Sequence, residues 1–452
     1  MGKCKVPIIG GGGGGVRGIL KTYPTDFGVS RGDLCSIVPT SFGYKSAAFT
    51  STENMATPNL VSVMIDNDTI FYASSDADQS GYSNLSLFVY KYSTNKVAIK
   101  DTTKRLIPLA AYRVDDNNIH LYCLDSTYKK IQVYNVNIST GTPVLGAIIL
   151  SFTSSDTSKV YIGRSPGCAR ICPLGNNRYI LFTPVMSYDG FSVLNTEGIQ
   201  CTPIYDDGST IIKGVPIVYS TTKGYFDCCR DSETDALLAL VEYNSTSSSP
   251  TFLKFTFSDD SNPILTQQEI TVSGIVVKKV DNAYANNTKF LKLQDGTYGL
   301  VLISPSSGCQ IIHVSIVDSV ASIVGTLTVI RTSDAGNGTA AVFGQKIATV
   351  SCSAGASGTS STDWHIDTVD MSSEPTVLKS NSIKSAAYNR TSAGISIEST
   401  LTTAYIAIAI SAKANVKVTK AKILETVEKN VNCVYANKNA VGNTYGEFKV
   451  QE

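Results

Sequence analysis

Histidine and tryptophan are nearly absent from this chain of 452 residues, which holds three histidines (His120, His313, His365) and one tryptophan, Trp364. The histidines stand far apart and none belongs to an HExxH-type pattern, which excludes a zinc hydrolase of that kind. A single tryptophan argues against a tryptophan-lined sugar cleft, whereas 23 tyrosines leave a tyrosine-based binding surface open. Net charge is missing as well: 38 Lys+Arg against 37 Asp+Glu leave +1. That balance removes the long-range field on which nonspecific binding to nucleic acid or anionic membranes depends. Charged residues make up 17% of the chain, below the ~25% of an ordinary soluble protein, so Ser, Thr, Asn and Gly must cover much of the surface. No stretch approaches the ~18 consecutive apolar residues of a membrane helix. Ala404 to Ser411, AYIAIAIS, reads as a buried strand, and no membrane insertion is expected.

Eleven cysteines are an odd number scattered from Cys4 to Cys433 without a regular framework. The N-terminal MGKCKVPII has too short an apolar run for a secretory signal. Together these predict synthesis in a cytoplasm, without a signal peptide and with reduced thiols. Cys168 and Cys172 are spaced C-x3-C, but no second pair lies at zinc-ribbon spacing. Cys228 and Cys229 are adjacent, so in a strand they point to opposite faces and read as packing residues.

Six glycines, Gly10 to Gly15, follow KVPII. A phosphate-binding loop of the Walker type needs Gly-Lys-Ser/Thr at its end, and here Val16, Arg17 and Gly18 follow; a Rossmann turn needs a helix next, and Pro24, Gly28 and Gly32 break that window. The run reads as a flexible tether. Arg31-Gly32-Asp33 spells an adhesion tripeptide at chance level.

From about residue 46 the chain repeats one pattern: an apolar strand, a tight polar turn, a β-branched and aromatic strand, a longer polar loop and a third alternating strand. The clearest copy is Asn59 to Met64, a turn at Ile65 to Thr69, Ile70 to Asp76, Leu85 to Tyr92 and a fourth stretch, Lys96 to Lys100. First turns centre near Asn67, Asp116, Asn176, Glu233, Gly296, Gly344 and Thr400, and third strands near Tyr90, Val133, Val193, Phe255, Ile312, Ile366 and Lys417. A period of about 55 residues built from short strands without helices is the signature of radially repeated four-stranded sheets, because a lone small sheet cannot bury both faces. The expected fold is therefore all-β, a seven-bladed β-propeller of four-stranded antiparallel blades, with tandem β-sandwiches as the alternative. The expected organisation is an N-terminal arm (1–45), the propeller (46–418) and a C-terminal hairpin or docking element (419–452). Either a strand from residues 30 to 55 completes the last blade, or residues 413 to 425 do so alone. Ile423, Leu424, Val427 and Val431 fit helix spacing or a strand equally, and Asn432 to Val450 reads as a hairpin around Gly442 and Asn443.

The glycine run, the Ser/Thr/Asn-rich sevenfold repeat and the closing N-x-C-V-Y…G-N-T-Y-G-E-F-K-V at Asn432 to Val450 resemble tail-fibre and baseplate-associated proteins of bacteriophages and prophages of Gram-positive bacteria. The resemblance implies a non-catalytic structural component of a virion tail, made in the host cytoplasm. It also implies a symmetric homo-oligomer whose partners are other tail or baseplate subunits and a host-surface glycan or protein receptor, without nucleic acid. The alternative is a cell-surface carbohydrate-binding or carbohydrate-active propeller. Proteins of the resembled type bind ligands on loops joining second and third strands, which here carry Asp76, Asp78, Tyr82, Asp125, Tyr128, Tyr188, Asp189, Tyr243 and Asn244. Tyrosine stacks on sugar rings and donates a hydroxyl, while Asp and Asn engage vicinal hydroxyls.

No enzyme chemistry is expected. Ser74 to Tyr82 has the wrong spacing for a sialidase Asp-box, and Asp66, Asp115, Asp116 and Asp295 occupy turn positions where Asp is favoured for conformation. His120, His313 and His365 each sit in strand-like alternation, unsuited to a serine-hydrolase triad. Asp66, Asp68, Asp76 and Asp78 do not fit the EF-hand register, so neither metal nor cofactor is expected.

Overall fold

Turn chemistry sets the local pattern. Asn176 and Asn177 adopt left-handed φ of 52° and 63° between Gly175 and Arg178, which face each other across the hairpin. This is the two-residue turn whose twist matches that of paired strands. Asp66 Oδ1 accepts the N–H groups of Asp68 and Thr69, both at 2.7 Å. Asp115 Oδ1 does the same for Asn117 and Asn118 at 2.7 and 2.8 Å, and Asp295 Oδ1 accepts Thr297 N at 2.9 Å. The seven expected first turns, at Asn67, Asp116, Asn176, Glu233, Gly296, Gly344 and Thr400, each fall between the first two strands of a repeat.

The structure, a computed structural model, describes residues 58–76, 84–125, 130–153, 159–160, 169–188, 193–242, 247–278, 288–304, 308–331, 335–353, 363–384, 394–410 and 415–422, with further strands at 19–25, 34–38, 42–44, 426–429, 434–436 and 444–450. Two compact units result, one of residues 46–398 and 406–418, the other of residues 1–45, 399–405 and 419–452. Gly10 to Gly15 lie outside the described residues.

In the larger unit, repeat one is an antiparallel meander of Pro58–Met64, Thr69–Asp76, Ser86–Lys91 and Lys96–Asp101. Repeat two (Leu106–Arg113, Asn118–Asp125, Lys130–Asn137, Val144–Thr153) and repeat six (Ala335–Phe343, Lys346–Ser353, Asp363–Asp370, Thr376–Lys384) match it. Repeats three to five depart from the expected four-stranded sheet. In repeat three, Arg170–Gly175, Arg178–Tyr188 and Val193–Asp206 are followed by a split fourth strand, Ile211–Lys213 and Ile217–Ser220, both paired with Val193–Asp206. The split occurs at Gly214, where a Cβ would stand 1.8 Å from the Pro263 carbonyl oxygen, so only glycine fits this approach to repeat four. Repeat four is Tyr225–Arg230, Asp235–Val241, Thr251–Ser258 and Ile264–Ser273, and repeat five begins Thr288–Lys292, Tyr298–Ser304 and Gly308–Val317. A tight turn through Asp318 and Ser319 (φ 49° and 63°) then sends Val320–Ile323 back along Gly308–Val317 and parallel to Ile264–Ser273. That parallel contact merges repeats four and five into one nine-stranded sheet, with Thr328–Arg331 paired to Gly308–Val317.

Second strands are near-continuous apolar runs because both their faces are covered: Tyr179, Ile180, Leu181 and Phe182 are all fully buried. The fourth strand of repeat four, Ile264–Ser273, is largely exposed, and only Leu265 and Ile270 of it are buried. Among the described residues core clusters lie between consecutive repeats: Phe71 and Leu87 meet Leu121 and Val136, Tyr122 and Val133 meet Tyr179 and Leu181, and Phe182 meets Phe255 with ring centroids 5.4 Å apart. Phe252 meets Phe290 at 5.3 Å, and Val301 and Ile311 meet Ile347 and Val369. Each such side chain contributes roughly 1.5–3 kcal/mol on burial, and none of it is available to an isolated sheet. Residues 46–398 form an all-β, propeller-like succession of small antiparallel sheets.

In the smaller unit, Ile19–Thr25, Leu34–Val38, Thr426–Lys429, Val434–Ala436 and Thr444–Val450 make a closed five-stranded barrel. Ile19 pairs with Val450 and Thr25 with Thr444, and the expected terminal hairpin is present as Val434–Ala436 against Thr444–Val450. Phe42–Tyr44 pairs antiparallel with Asn415–Lys422, Phe42 opposite Ala421, so a segment between residues 30 and 55 lies beside the third strand of repeat seven.

Candidate functional site

First-hairpin turns of neighbouring repeats touch one another. Asn176 Nδ2 donates to Glu233 Oε2 at 3.2 Å, Lys292 Nζ to Asp231 Oδ1 at 2.7 Å, and Gln345 Nε2 to Asp295 Oδ2 at 2.9 Å. These turns therefore share one face, and in a meander the connections from second to third strands leave at the opposite end. The sequence-expected ligand residues sit on those connections. Asp76 ends the strand Thr69–Asp76 opposite Pro58, and Tyr188 is the last residue of Arg178–Tyr188, opposite Val193. Asp125 ends Asn118–Asp125, half-buried, its Oδ1 accepting Lys130 N at 3.1 Å. Asp76, Asp125 and Tyr188 thus hold equivalent positions in three consecutive sheets. Asp78, Tyr82, Tyr128, Asp189, Tyr243 and Asn244 lie outside the described residues.

His120 and His313 serve contacts between sheets. His120 Nδ1 hydrogen-bonds to buried Asp206 of the next repeat, Tyr179 OH donates to the same Asp206 oxygen at 3.3 Å, and Tyr122 and Tyr179 share a hydrogen bond. His313 bonds Thr297 Oγ1 through Nε2 and the Ser373 carbonyl of repeat six through Nδ1, both at 2.7 Å. With both ring nitrogens of His313 engaged, it acts as a clasp. Burial pushes the thiols of Cys123, Cys201, Cys228, Cys229 and Cys309 upward, which holds them in the protonated, unreactive form. Among the described residues no group of three or more His, Cys, Asp and Glu side chains gathers as metal ligands.

Sequence reasoning missed a cluster on the first strands. These strands lie side by side from repeat to repeat: Leu106–Arg113 packs against Pro58–Met64 and Arg170–Gly175, and Tyr225–Arg230 against Arg170–Gly175 and Thr288–Lys292. Arg170 Nε donates to Asp227 Oδ1 at 2.7 Å, with the two side chains 13% and 7% exposed. Asp227 Oδ2 accepts Phe290 N at 2.9 Å. Beside this pair stands Lys289, whose neighbours Thr288 and Phe290 are buried in the opposite direction of the strand's alternation. Desolvation lowers the Lys289 ammonium, opposed by Asp227 and Glu398 and reinforced by Arg170. Glu398 comes from the first strand of repeat seven, Gly394–Ser399, and accepts Ser62 Oγ of repeat one at 2.5 Å. Burial raises its carboxyl above the ordinary glutamate range, while Ser62, the Met64 N–H and Lys289 pull it back. A sequence signal existed only in hindsight: charged residues alternate with apolar ones in the first strands, two lysines in TKFLK and one glutamate in GISIES.

No protein-family model matches the chain, and no curated protein matches it. Among solved structures, the chain is similar to polysaccharide lyase Uly1 at 8% identity and TM-score 0.45, over 80% of this chain and 89% of that one. It is similar to the WD40 domain of SCAP from fission yeast at 11% identity and TM-score 0.39, over 87% and 99% of the two chains. A third likeness is to the SapL1 lectin in complex with alpha methyl fucoside, at 10% identity and TM-score 0.37, over 70% and 96%.

Proposed function

We propose that the chain is a non-catalytic binding scaffold, a seven-bladed β-propeller that serves as a structural component of a bacteriophage or phage-like tail and contacts a host-surface receptor through its second-to-third-strand loops. The observation that carries the scaffold reading is the contact between the first and last repeats, Ser62 Oγ to Glu398 Oε1 across 336 residues. With neighbouring sheets packed from repeat one to repeat six, that contact supports a closed ring, and the seven first turns supply its blade count. Acids expected to hold turns do so, and the histidines of repeats two and five are occupied as clasps, which favours binding over catalysis. The tail assignment rests on the sequence resemblance.

The test is electron microscopy of particles from the source cells, with the chain identified by mass spectrometry, followed by adsorption of particles carrying Tyr82→Ala, Tyr128→Ala and Tyr188→Ala together. A symmetric propeller on a tail and adsorption reduced at least tenfold are expected. Absence of the chain from particles overturns the tail reading; full adsorption by a folded triple variant overturns the loop-face reading.

A further inference from the structure

Each small sheet ends in an outer strand, and the far side of such a strand is a row of backbone N–H and C=O groups that only another strand or water can satisfy. In repeat two that strand is Val144–Thr153, ten residues long. Among the described residues its one ladder partner is Lys130–Asn137, on its inner side. Its sequence, VLGAIILSFT, holds no charged residue and no proline. Val144 is 51% exposed, Ile148 44% and Ile149 41%. Gly146, Ala147 and Ser151 are exposed as well. Two register shifts against Lys130–Asn137 bend the strand, as bulges do at sheet edges, without placing a charge on it.

The outer strands of the other repeats are guarded. Lys96–Asp101 of repeat one carries exposed Lys96 and Lys100, and Thr376–Lys384 of repeat six carries exposed Lys379. Ile264–Ser273 of repeat four carries exposed Glu269, and its end is covered by Val320–Ile323 of repeat five. In repeat three the outer strand is split into pieces of three and four residues, the first ending in exposed Lys213. Charge, shortness and cover are the devices by which a sheet edge avoids pairing with another chain, and Val144–Thr153 has none of them. Repeats four and five also show what occupies an outer edge in this fold: a second outer strand, Thr271 to Ser273 lying against Val320 to Ser322.

We propose that Val144–Thr153 is the contact of a homodimer, in which two copies of the chain lay this strand antiparallel across a two-fold axis and join two four-stranded sheets into one of eight strands. Neutrality selects the occupant. A strand paired with its own copy is opposed by its own composition, so with no charge on Val144–Thr153 no register sets like charges against each other or strips water from an ammonium or carboxylate. An acidic or basic peptide finds no counter-charge on that strand. The ladder of main-chain hydrogen bonds fixes the direction of pairing, and Val144, Ile148 and Ile149 supply apolar area that loses water. The contact uses none of the second-to-third-strand loop residues, so it stands or falls apart from the tail and receptor reading.

Sedimentation velocity of the full chain under reducing conditions, from about 1 to about 100 µM, tests the proposal. A concentration-dependent step from monomer to dimer without larger species is expected, because a two-fold contact closes on itself. Ile148→Lys together with Ile149→Lys is expected to weaken the dimer about tenfold or more, as lysine on an edge strand does. Val377→Lys together with Leu378→Lys, on the outer strand of repeat six, is expected to leave it unchanged. Hydrogen exchange of the wild type, read by mass spectrometry, is expected to slow in peptides spanning residues 144–153 as concentration rises. A wild type that stays monomeric throughout overturns the proposal, as does a dimer that survives the repeat-two variant or is lost equally in the repeat-six variant. If the repeat-two variant does not fold, exchange decides: a rate over residues 144–153 that is independent of concentration, or that slows only when another particle protein is added, overturns the second copy as the occupant.

Discussion

Replacing Asp227 by alanine isolates the energetics of the first-strand cluster. The carboxylate is 7% exposed, binds an Arg170 side chain that is 13% exposed, and caps the Phe290 N–H. Truncation takes the carboxylate away from a buried guanidinium, a loss of about 3–5 kcal/mol for breaking a buried pair. Within that figure the orphaned Phe290 N–H accounts for about 1–3 kcal/mol. Removing both charges, as Arg170→Met with Asp227→Leu, relieves the guanidinium and leaves only the N–H penalty, so the double variant is expected to lose about 1–3 kcal/mol, less than Asp227→Ala alone. The assay is urea unfolding followed by tyrosine fluorescence, with calorimetric melting as the check, on wild type, both single variants and the double variant. A loss below about 1 kcal/mol for Asp227→Ala, or a double variant equal to the sum of its singles, refutes the reasoning, because residues in direct contact couple and independent ones add.

Further outcomes follow from other contacts. Gly214→Ala places a Cβ against the Pro263 carbonyl and is expected to cost about 3 kcal/mol, the upper end of overpacking, read as a lower melting temperature. Asp231 is held below the ordinary carboxylate range; burial opposes this, but Lys292 and the Tyr298 hydroxyl outweigh it. Its contribution to stability is thus present above the ordinary Asp range and lost as pH falls through the lowered value, so Asp231→Asn is expected to melt lower than wild type at pH 7 and to converge with it in acid. Glu398 has the opposite sign: its raised carboxyl favours folding while protonated and loses that contribution as pH rises. Glu398→Gln is therefore expected to melt higher than wild type at pH 8 and equally at pH 4. Cys123, Cys201 and Cys309, all fully buried, are expected to escape alkylation by iodoacetamide in the native protein and to react fully in urea, as read by peptide mass spectrometry.

The repeat was legible because its signals are local. Asn176-Asn177 and Asp115 fix their turns through contacts within three residues, and strand alternation marks the third strands without knowledge of any partner. What joins the repeats was not legible. His120 finds Asp206 across 86 residues, Arg170 finds Asp227 across 57, and Ser62 finds Glu398 across 336. Such partners depend on how sheets stack, which no window of sequence contains. The split outer strands of repeats three and five follow the same rule: the first answers to the Pro263 carbonyl of another repeat, the second to a parallel neighbour in repeat four. The ligand face was named from the resemblance, and the first-strand cluster went unnoticed because an isolated Lys289 or Glu398 in a strand carries no motif.

The pairing of Ile19 with Val450 in the terminal barrel sets a timetable for folding. Sheets of repeats one to six need only their own residues and a neighbour, so they can form in order as the chain leaves the ribosome at about 5–20 residues per second. The barrel cannot form until residues 444–450 have emerged, and until then the strand Ile19–Thr25 lacks its partner Thr444–Val450. That waiting edge is where a stalled or nicked chain is exposed to pairing with another copy, and it makes closure of the barrel the checkpoint separating finished molecules from aggregating ones.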